Sequence, residues 1–198
     1  MTPAFDLQRP RSLDALHALL ADLARRQQRF AISAGGTDLV PQLKLGLATP
    51  EVLVSLGAIP ALRGITREPD GRVRIGAMTP LATIIADPLL HAVAPVLGEA
   101  AARVASAPIR ERATLGGNVL ADHRCNFFNQ SPLNRAAHGP CFKAGGDVCH
   151  IVKSAVRGQL PQCQARIVTD TTPALLVLDA ELQLHSPRGE RRIALADF

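Results

Sequence analysis

The sequence contains no tryptophan and no tyrosine, and aromatic residues make up only 3% of its 198 residues. Proteins that bind single-stranded nucleic acid stack the bases on exposed aromatic rings, so this scarcity argues against that class of function. It also means that aliphatic side chains must build the core. With 47% hydrophobic and 20% charged residues, the composition is otherwise that of an ordinary globular protein. The length suits one large domain or two small ones.

Long apolar runs are also missing from the sequence. No stretch approaches the roughly 18 consecutive apolar residues that suggest a membrane-spanning helix. Asp6, Arg9 and Arg11 interrupt the start of the chain, where a signal peptide would need an apolar segment. We therefore expect a cytoplasmic protein with no membrane partner, in a compartment where metal thiolates are more common than disulfides. The net charge of +5 comes from scattered basic residues, which predicts a solvated surface or, alternatively, a docking face for an acidic partner.

The apolar spacing predicts a domain that mixes helices and strands. Leucines recur at helical spacing over residues 13–23, and Ser12 can cap that helix. Residues 30–34 then read as a buried strand that runs into a glycine turn, an order typical of α/β structure. The pattern predicts further strands at 51–56, 72–77, 164–169 and 180–186, a hairpin turn at 187–189, and helices after Thr79-Pro80 and over 91–105.

Two short glycine motifs are candidates for anion binding. The first is Ala-Gly-Gly-Thr-Asp-Leu at 34–39, and the second is Thr-Leu-Gly-Gly-Asn at 114–118. A glycine pair lets backbone N–H groups come close to an anion because no Cβ stands between them. Each motif alone is commonly a simple turn, but the two together could serve a dinucleotide pyrophosphate from two sides. Neither has the G-x-G-x-x-G spacing, so a Rossmann site is not indicated.

The four cysteines all lie in residues 119–163, the one segment with little periodicity and few apolar residues. Such a segment needs something besides a hydrophobic core to order it, and a metal centre would serve. The spacings between successive cysteines are 15, 7 and 13 residues, without the tight C-x2–4-C pairs of most zinc sites. Three possibilities stay open on spacing alone: an iron–sulfur cluster, structural zinc, or unligated thiols. The candidate metal ligands are Cys125, Cys141, Cys149 and Cys163.

Segments 34–39, 75–79 and 113–118 together resemble the FAD-binding subunits of molybdenum hydroxylases, a family that includes the flavin subunits of xanthine and carbon monoxide dehydrogenases. The resemblance covers nearly the whole chain. It implies an α+β fold of the para-cresol methylhydroxylase type, with subdomains over 1–50 and 51–198 and without the family's C-terminal domain. The glycine loops would grip the FAD pyrophosphate, and Asp170 would contact the ribityl region rather than merely cap the segment after it. The cofactor-binding residues so implied are Ser33, Ala34, Gly35, Gly36, Thr37, Asp38, Leu39, Thr114, Gly116, Gly117, Asn118 and Asp170.

The segment at about 119–169 is longer than in most members of that family. Its motifs at 124–132 and 143–150 resemble the β subunit of 4-hydroxybenzoyl-CoA reductase. That resemblance implies a [4Fe-4S] cluster on the four cysteines, and electron transfer between a ferredoxin-facing cluster and FAD. The implied partners are a molybdenum-cofactor large subunit, a [2Fe-2S] small subunit and ferredoxin.

Two alternatives stand beside this prediction. The first is the flavin subunit of an oxidising molybdenum hydroxylase, in which electrons leave the molybdenum site. The second, from a different class, is a zinc-stapled assembly module without flavin or redox turnover. Catalytic residues that act on an organic substrate are not expected in any of these interpretations.

Overall fold

The protein divides into two compact units in the computed structural model, which describes residues 4–152 and 162–198. We call the larger one the main unit; it contains residues 4–37, 50–120 and 169–198. The smaller, the cysteine unit, contains residues 38–49 and the described part of 121–168. In the part of the chain that the structure describes, no helix is both long enough and apolar enough to cross a lipid bilayer.

Helices and strands alternate as far as β3, and after it the strands and the helices come in separate runs. The strands are β1 (Asp6–Gln8), β2 (Phe30–Ser33), β3 (Val52–Ser55), β4 (Ile65–Arg67), β5 (Val73–Ile75), β6 (Glu181–Ser186) and β7 (Gly189–Ala194). The helices are α1 (Leu13–Arg25), α2 (Leu39–Lys44), α3 (Leu81–Ala86), α4 (Pro88–Val93), α5 (Pro95–Arg103), α6 (Ala107–Arg110), α7 (Leu115–Val119), α8 (Pro132–His138) and α9 (Thr171–Val177). Only α2 and α8 of these belong to the cysteine unit.

A small parallel sheet begins the main unit, with β1 and β2 on either side of the central β3. Helix α1 connects β1 to β2 and starts at Ser12, whose hydroxyl accepts a hydrogen bond from the Ala15 N–H at 3.1 Å. Leu16 and Leu23 of α1 pack in one apolar cluster with Val54 of β3. The predicted first helix, its serine cap and the strand before the glycine turn are therefore confirmed. That strand is not buried as predicted, however, because the Phe30 and Ile32 side chains are exposed. The sheet joins strands from both sides of residue 50, and the subdomain boundary there stays a prediction.

A second apolar cluster holds the helical part of the main unit together. Leu81 and Ile84 of α3, Leu97 of α5 and Leu175 of α9 are buried in it. The hairpins β4–β5 and β6–β7 are antiparallel, and the predicted turn at 187–189 is confirmed by the pairing of Ser186 with Gly189. This cluster holds α7 and α9 in place. Helix α7 contains Gly116, Gly117 and Asn118, and Asp170 directly precedes α9.

Two predictions about secondary structure were wrong, and a third was correct only in part. Thr79 does not cap α3, because its hydroxyl bonds the backbone N–H and C=O of Gly64 instead. The helix predicted over 91–105 breaks at Ala94, since Pro95 has no N–H to continue the ladder. Residues 164–169 form only an isolated bridge, in which Arg166 pairs with Arg124.

The cysteine unit is built around aromatic contacts rather than around a large aliphatic core. The Phe127 ring lies 4.3 Å from the His150 ring and 5.8 Å from the His138 ring, centroid to centroid. Beside it, the Lys143 ammonium lies 4.7 Å from the Phe128 ring centroid. Helix α8 in this unit was not predicted, because the sequence around it has little helical periodicity.

Candidate functional site

The first glycine loop follows β2 and offers unused backbone donors. Within the described residues, the N–H groups of Gly35, Gly36 and Thr37 donate no hydrogen bond. Gly36 has a φ of +77°, a backbone conformation that L side chains rarely adopt. Gly35, Gly36 and Thr37 are half-buried residues. The loop therefore presents a run of donors of the kind that binds phosphate oxygens.

The second glycine loop forms the start of α7, and the backbone N–H groups of residues 115–118 already donate hydrogen bonds. The Leu115 N–H bonds the Thr79 carbonyl at 3.0 Å, and the Gly116 N–H bonds the Ala77 carbonyl at 2.8 Å. The Gly117 N–H donates to the Thr114 hydroxyl, which caps the helix. The two loops are thus unequal: the first can offer main-chain donors, whereas the second can offer mainly the Asn118 side chain.

Glycine is required in both loops because other backbone passes close by. A Cβ on Gly35 would lie 1.8 Å from the Arg112 carbonyl oxygen, and one on Gly116 would lie 2.8 Å from the Ala77 side chain. A Cβ on Gly117 would sit 3.7 Å from that of Ala34. The two glycine loops are therefore neighbours within the main unit. The 75–79 segment, which the sequence singled out as a third motif, braces the second loop through the Ala77 and Thr79 carbonyls.

Asn118 links the second glycine loop to the turn that carries Asp170. Its Oδ1 accepts hydrogen bonds from the Thr171 N–H at 3.1 Å, the Thr171 hydroxyl at 2.6 Å and the Thr169 hydroxyl at 3.0 Å. Its Nδ2 has no partner in the described residues. That group is accessible to solvent, because no buried side-chain N or O atom lacks a partner. The threonines of this turn were not among the predicted site residues, although the run Thr-Asp-Thr-Thr is visible in the sequence.

Asp170 precedes α9 and is exposed, but its carboxylate makes no capping hydrogen bond to that helix. The alternative role considered for it, capping, is therefore wrong. A carboxylate with no partner among residues 4–152 and 162–198, tethered between two anchored threonines, is available to a ligand. Its contact with the ribityl region stays a prediction.

Asp38 and Leu39, the last two residues of the first motif, belong to the cysteine unit. The Asp38 carboxylate accepts from Arg124 at 3.0 Å and from the Gln42 amide at 2.6 Å. Helix α2 follows it, as expected for a helical continuation. Because both Asp38 oxygens are occupied by protein donors, any role in binding a cofactor stays a prediction.

Two isolated backbone bridges in the cysteine unit involve cysteines or residues near them. Cys141 pairs with Val148, the neighbour of Cys149, and Arg124 pairs with Arg166, so that Cys125 lies near the segment that follows Cys163. Cys141 is buried, and the Cys163 sulfur accepts from the Ala165 N–H at 3.4 Å. Among residues 4–152 and 162–198, however, no three Cys, His, Asp or Glu side chains are placed to share one metal ion. Residues 153–161, between Cys149 and Cys163, lie outside the described residues.

One carboxyl in this unit has a shifted pKa. Partial burial alone would raise the pKa of Asp122, but the Lys143 ammonium at 2.6 Å and the His123 N–H outweigh it and hold that pKa below its usual value. Lys143 also donates to the His123 carbonyl at 2.7 Å. These contacts hold Asp122 and His123, which shortly precede Cys125 in the chain, against Lys143.

Comparison with known proteins agrees with this site. Residues 3–198 match the family model described as the FAD binding domain in molybdopterin dehydrogenase. The chain is 40% identical over 136 residues to the carbon monoxide dehydrogenase medium chain of Hydrogenophaga pseudoflava, covering 69% of this chain and 46% of that one. It is 32% identical over 179 residues to an aldehyde oxidoreductase FAD-binding subunit of Escherichia coli K12, covering 88% and 55%.

The fold has solved counterparts as well. Reconstituted CO dehydrogenase from Oligotropha carboxidovorans superposes with a TM-score of 0.70 at 29% identity, covering all of this chain and 53% of that chain. The chain spans about half the length of the curated relatives it matches. The predicted mixed helix-and-strand flavin-binding fold is confirmed, whereas a cluster-binding loop and a missing C-terminal domain stay predictions. The chain belongs to the family of FAD-binding domains of molybdopterin dehydrogenases.

Proposed function

We propose that this chain holds FAD within the flavin subunit of a molybdenum-containing dehydrogenase, where it relays electrons and does not touch the organic substrate. The observation that carries the proposal is the meeting of two glycine loops in the main unit, one of which has three unused N–H donors. Family membership supports the same function. The bound flavin would supply one- and two-electron chemistry.

The residues of the main unit fit the parts of a flavin dinucleotide. The N–H groups of residues 35–37 and the Thr37 hydroxyl suit the pyrophosphate, because unpaired main-chain donors bind such anions well. The accessible Asn118 amino group would add a donor from the second loop. Asp170 would accept hydrogen bonds from the hydroxyls of the ribityl chain, since an unpaired carboxylate is a strong acceptor.

The oxidising interpretation of the complex is the better supported. Relatives named as carbon monoxide dehydrogenase and aldehyde oxidoreductase subunits favour electrons that flow outward from molybdenum to the flavin. The proposed partners are a molybdenum-cofactor large subunit and a [2Fe-2S] small subunit, inside the cell. In this interpretation the flavin midpoint potential lies above those of the partner clusters, and redox titration of the complex measures the difference.

A second candidate is the 4-hydroxybenzoyl-CoA reductase type, with a [4Fe-4S] cluster and ferredoxin as electron donor. The specific observation in its favour is that all four cysteines belong to the cysteine unit, in which a backbone bridge pairs Cys141 with Val148, the neighbour of Cys149. The described side chains do not form a shared ligand set. We therefore assign no electron-transfer step to such a cluster.

The deciding experiment is anaerobic purification followed by flavin, iron, sulfide and zinc analysis. One FAD per chain without iron supports the dehydrogenase proposal in its simplest form. One FAD with about four iron and four sulfide per chain, lost in Cys163→Ser, favours the second candidate. Zinc without flavin overturns both and favours the zinc-stapled assembly module. Absorbance is easy to interpret because the chain has no tryptophan or tyrosine.

A further inference from the structure

Helix α9 begins without a capping bond from its own N-terminal residue. The first N–H groups of any helix lack partners within the helix, and an aspartate at the start normally supplies one. Here Asp170 occupies that position and makes no such bond. Instead, the Thr171 N–H donates to Asn118 Oδ1 at 3.1 Å, and the Thr172 N–H donates to the Thr169 hydroxyl at 3.3 Å.

The orientation of the Asn118 amide follows from its donors. A backbone N–H can only donate, so the atom that faces Thr171 must be the amide oxygen. The Thr169 hydroxyl has one hydrogen, which it gives to the same oxygen. In the 2.9 Å contact between the Thr169 and Thr172 hydroxyls, Thr172 must therefore be the donor. Every donor and acceptor in this network is assigned without involving Asp170.

We propose that Asn118 is a positioning residue: it caps α9 from the second glycine loop and so releases and orders the Asp170 carboxylate for the flavin. This inference rests on the proposed function. Thr171 is fully buried and cannot touch a ligand, so any effect of its hydroxyl on FAD must act through this network. Three hydrogen bonds on one acceptor hold the residues on both sides of Asp170 against α7.

The test uses the buried hydroxyl rather than Asn118 itself. Thr171→Val keeps the size and the N–H but removes one donor, whereas Thr171→Ser keeps the donor. We expect Thr171→Val to weaken FAD binding about 5-fold, the equivalent of one hydrogen bond, and Thr171→Ser to restore most of it. In an Asp170→Ala background, Thr171→Val should change the FAD dissociation constant by less than about 2-fold. Fluorescence titration with FAD measures the wild type and these four variants.

A control separates positioning from general loss of stability. Ile84→Val removes one methyl group from a fully buried side chain of the main unit and should lower the melting temperature while leaving FAD affinity unchanged. Equal losses of FAD affinity for Thr171→Val with and without Asp170 would overturn the proposal, as would no loss at all. If Thr171→Val does not fold, Thr169→Val removes a second donor to Asn118 and takes its place in the same cycle.

A measurement on the protein without FAD distinguishes failure of the Asn118 proposal from failure of the proposed FAD-binding function. Amide hydrogen exchange at Thr171 in the unliganded protein should be faster in Thr169→Val than in the wild type, because the Asn118 oxygen loses one of its donors and the turn loosens. If the wild type binds no FAD, the proposed function fails. Unchanged exchange at Thr171 would then separately refute the cap from Asn118.

Discussion

At the scale of single residues, the glycines of this chain differ in what they do. The sequence identifies Gly35 and Gly116 as members of candidate anion-binding motifs. The structure adds that neighbouring backbone leaves no room for a side chain at either position. Which N–H groups are left unused could not be read from the sequence, because the carbonyls that bind Leu115 and Gly116 come from residues 79 and 77. The same limit applies to Asn118, whose partners lie more than fifty positions away.

Gly35→Ala should damage both stability and FAD binding. The new Cβ would collide with the Arg112 carbonyl, a backbone atom that cannot simply rotate away. We expect a loss of about 3 kcal/mol in unfolding free energy and, for a chain of this size, a melting temperature lower by roughly 6–12 °C. Calorimetry and FAD titration measure the two effects.

Gly98→Ala is the matched control for that change. Gly98 lies inside α5, and a Cβ there meets nothing within 4 Å. Alanine is the better helix former by roughly 0.5–1 kcal/mol, so this variant should be slightly more stable and bind FAD normally. A Gly35→Ala protein that behaves like Gly98→Ala would show that the first loop adapts without cost.

At the scale of elements, secondary structure that depends on neighbouring residues was predicted correctly, whereas structure that depends on residues distant in sequence was not. Helix α1 was predictable because its leucine spacing and Ser12 cap are both local features. The hairpin β6–β7 was predictable because its turn residues separate two short strands. The strand predicted over residues 164–169 does not form, because a strand must pair with a neighbouring strand and here only Arg166 is paired, with Arg124. The predicted helix cap by Thr79 does not form for a similar reason. The Thr79 hydroxyl bonds the backbone N–H and C=O of Gly64, which lies 15 residues away in sequence.

The ion pair between Asp122 and Lys143 should make the stability of the cysteine unit depend on pH. The folded pKa of Asp122 is lowered, so its contribution is complete above the ordinary carboxyl pKa of about 4 and is lost as the pH falls through the folded value. Because the Asp122 side chain is more than half exposed, the contribution should be below about 1 kcal/mol. Urea unfolding of the wild type and Asp122→Asn, from neutral pH downward, measures it.

The expected result is a difference between the two proteins at neutral pH that disappears in acid. Asp147→Asn is the control, since Asp147 is an exposed acid of the same unit with no hydrogen bond or ion pair among the described residues. A difference between wild type and Asp122→Asn that persists at the lowest pH would mean that the ion pair is not its source.

At the scale of the whole molecule, the residues proposed for FAD and the cysteines fall into different compact units. The glycine loops up to Thr37, Asn118 and Asp170 belong to the main unit, whereas the cysteines belong to the cysteine unit. The sequence indicated this division through composition, because the cysteine segment lacks the periodicity of its surroundings. It could not indicate that residues 38–49 join that segment, since their grouping depends on contacts such as Asp38 with Arg124.

This division predicts that flavin and metal content can be lost separately. Replacing all four cysteines with serine should leave FAD affinity within about 2-fold of the wild type, because none of the residues proposed to hold FAD belongs to the cysteine unit. Any iron should be absent from that variant. Gly35→Ala should show the reverse: weaker FAD with unchanged metal content. Flavin fluorescence and metal analysis on the same preparations give both values. Loss of FAD together with the cysteines would contradict this prediction.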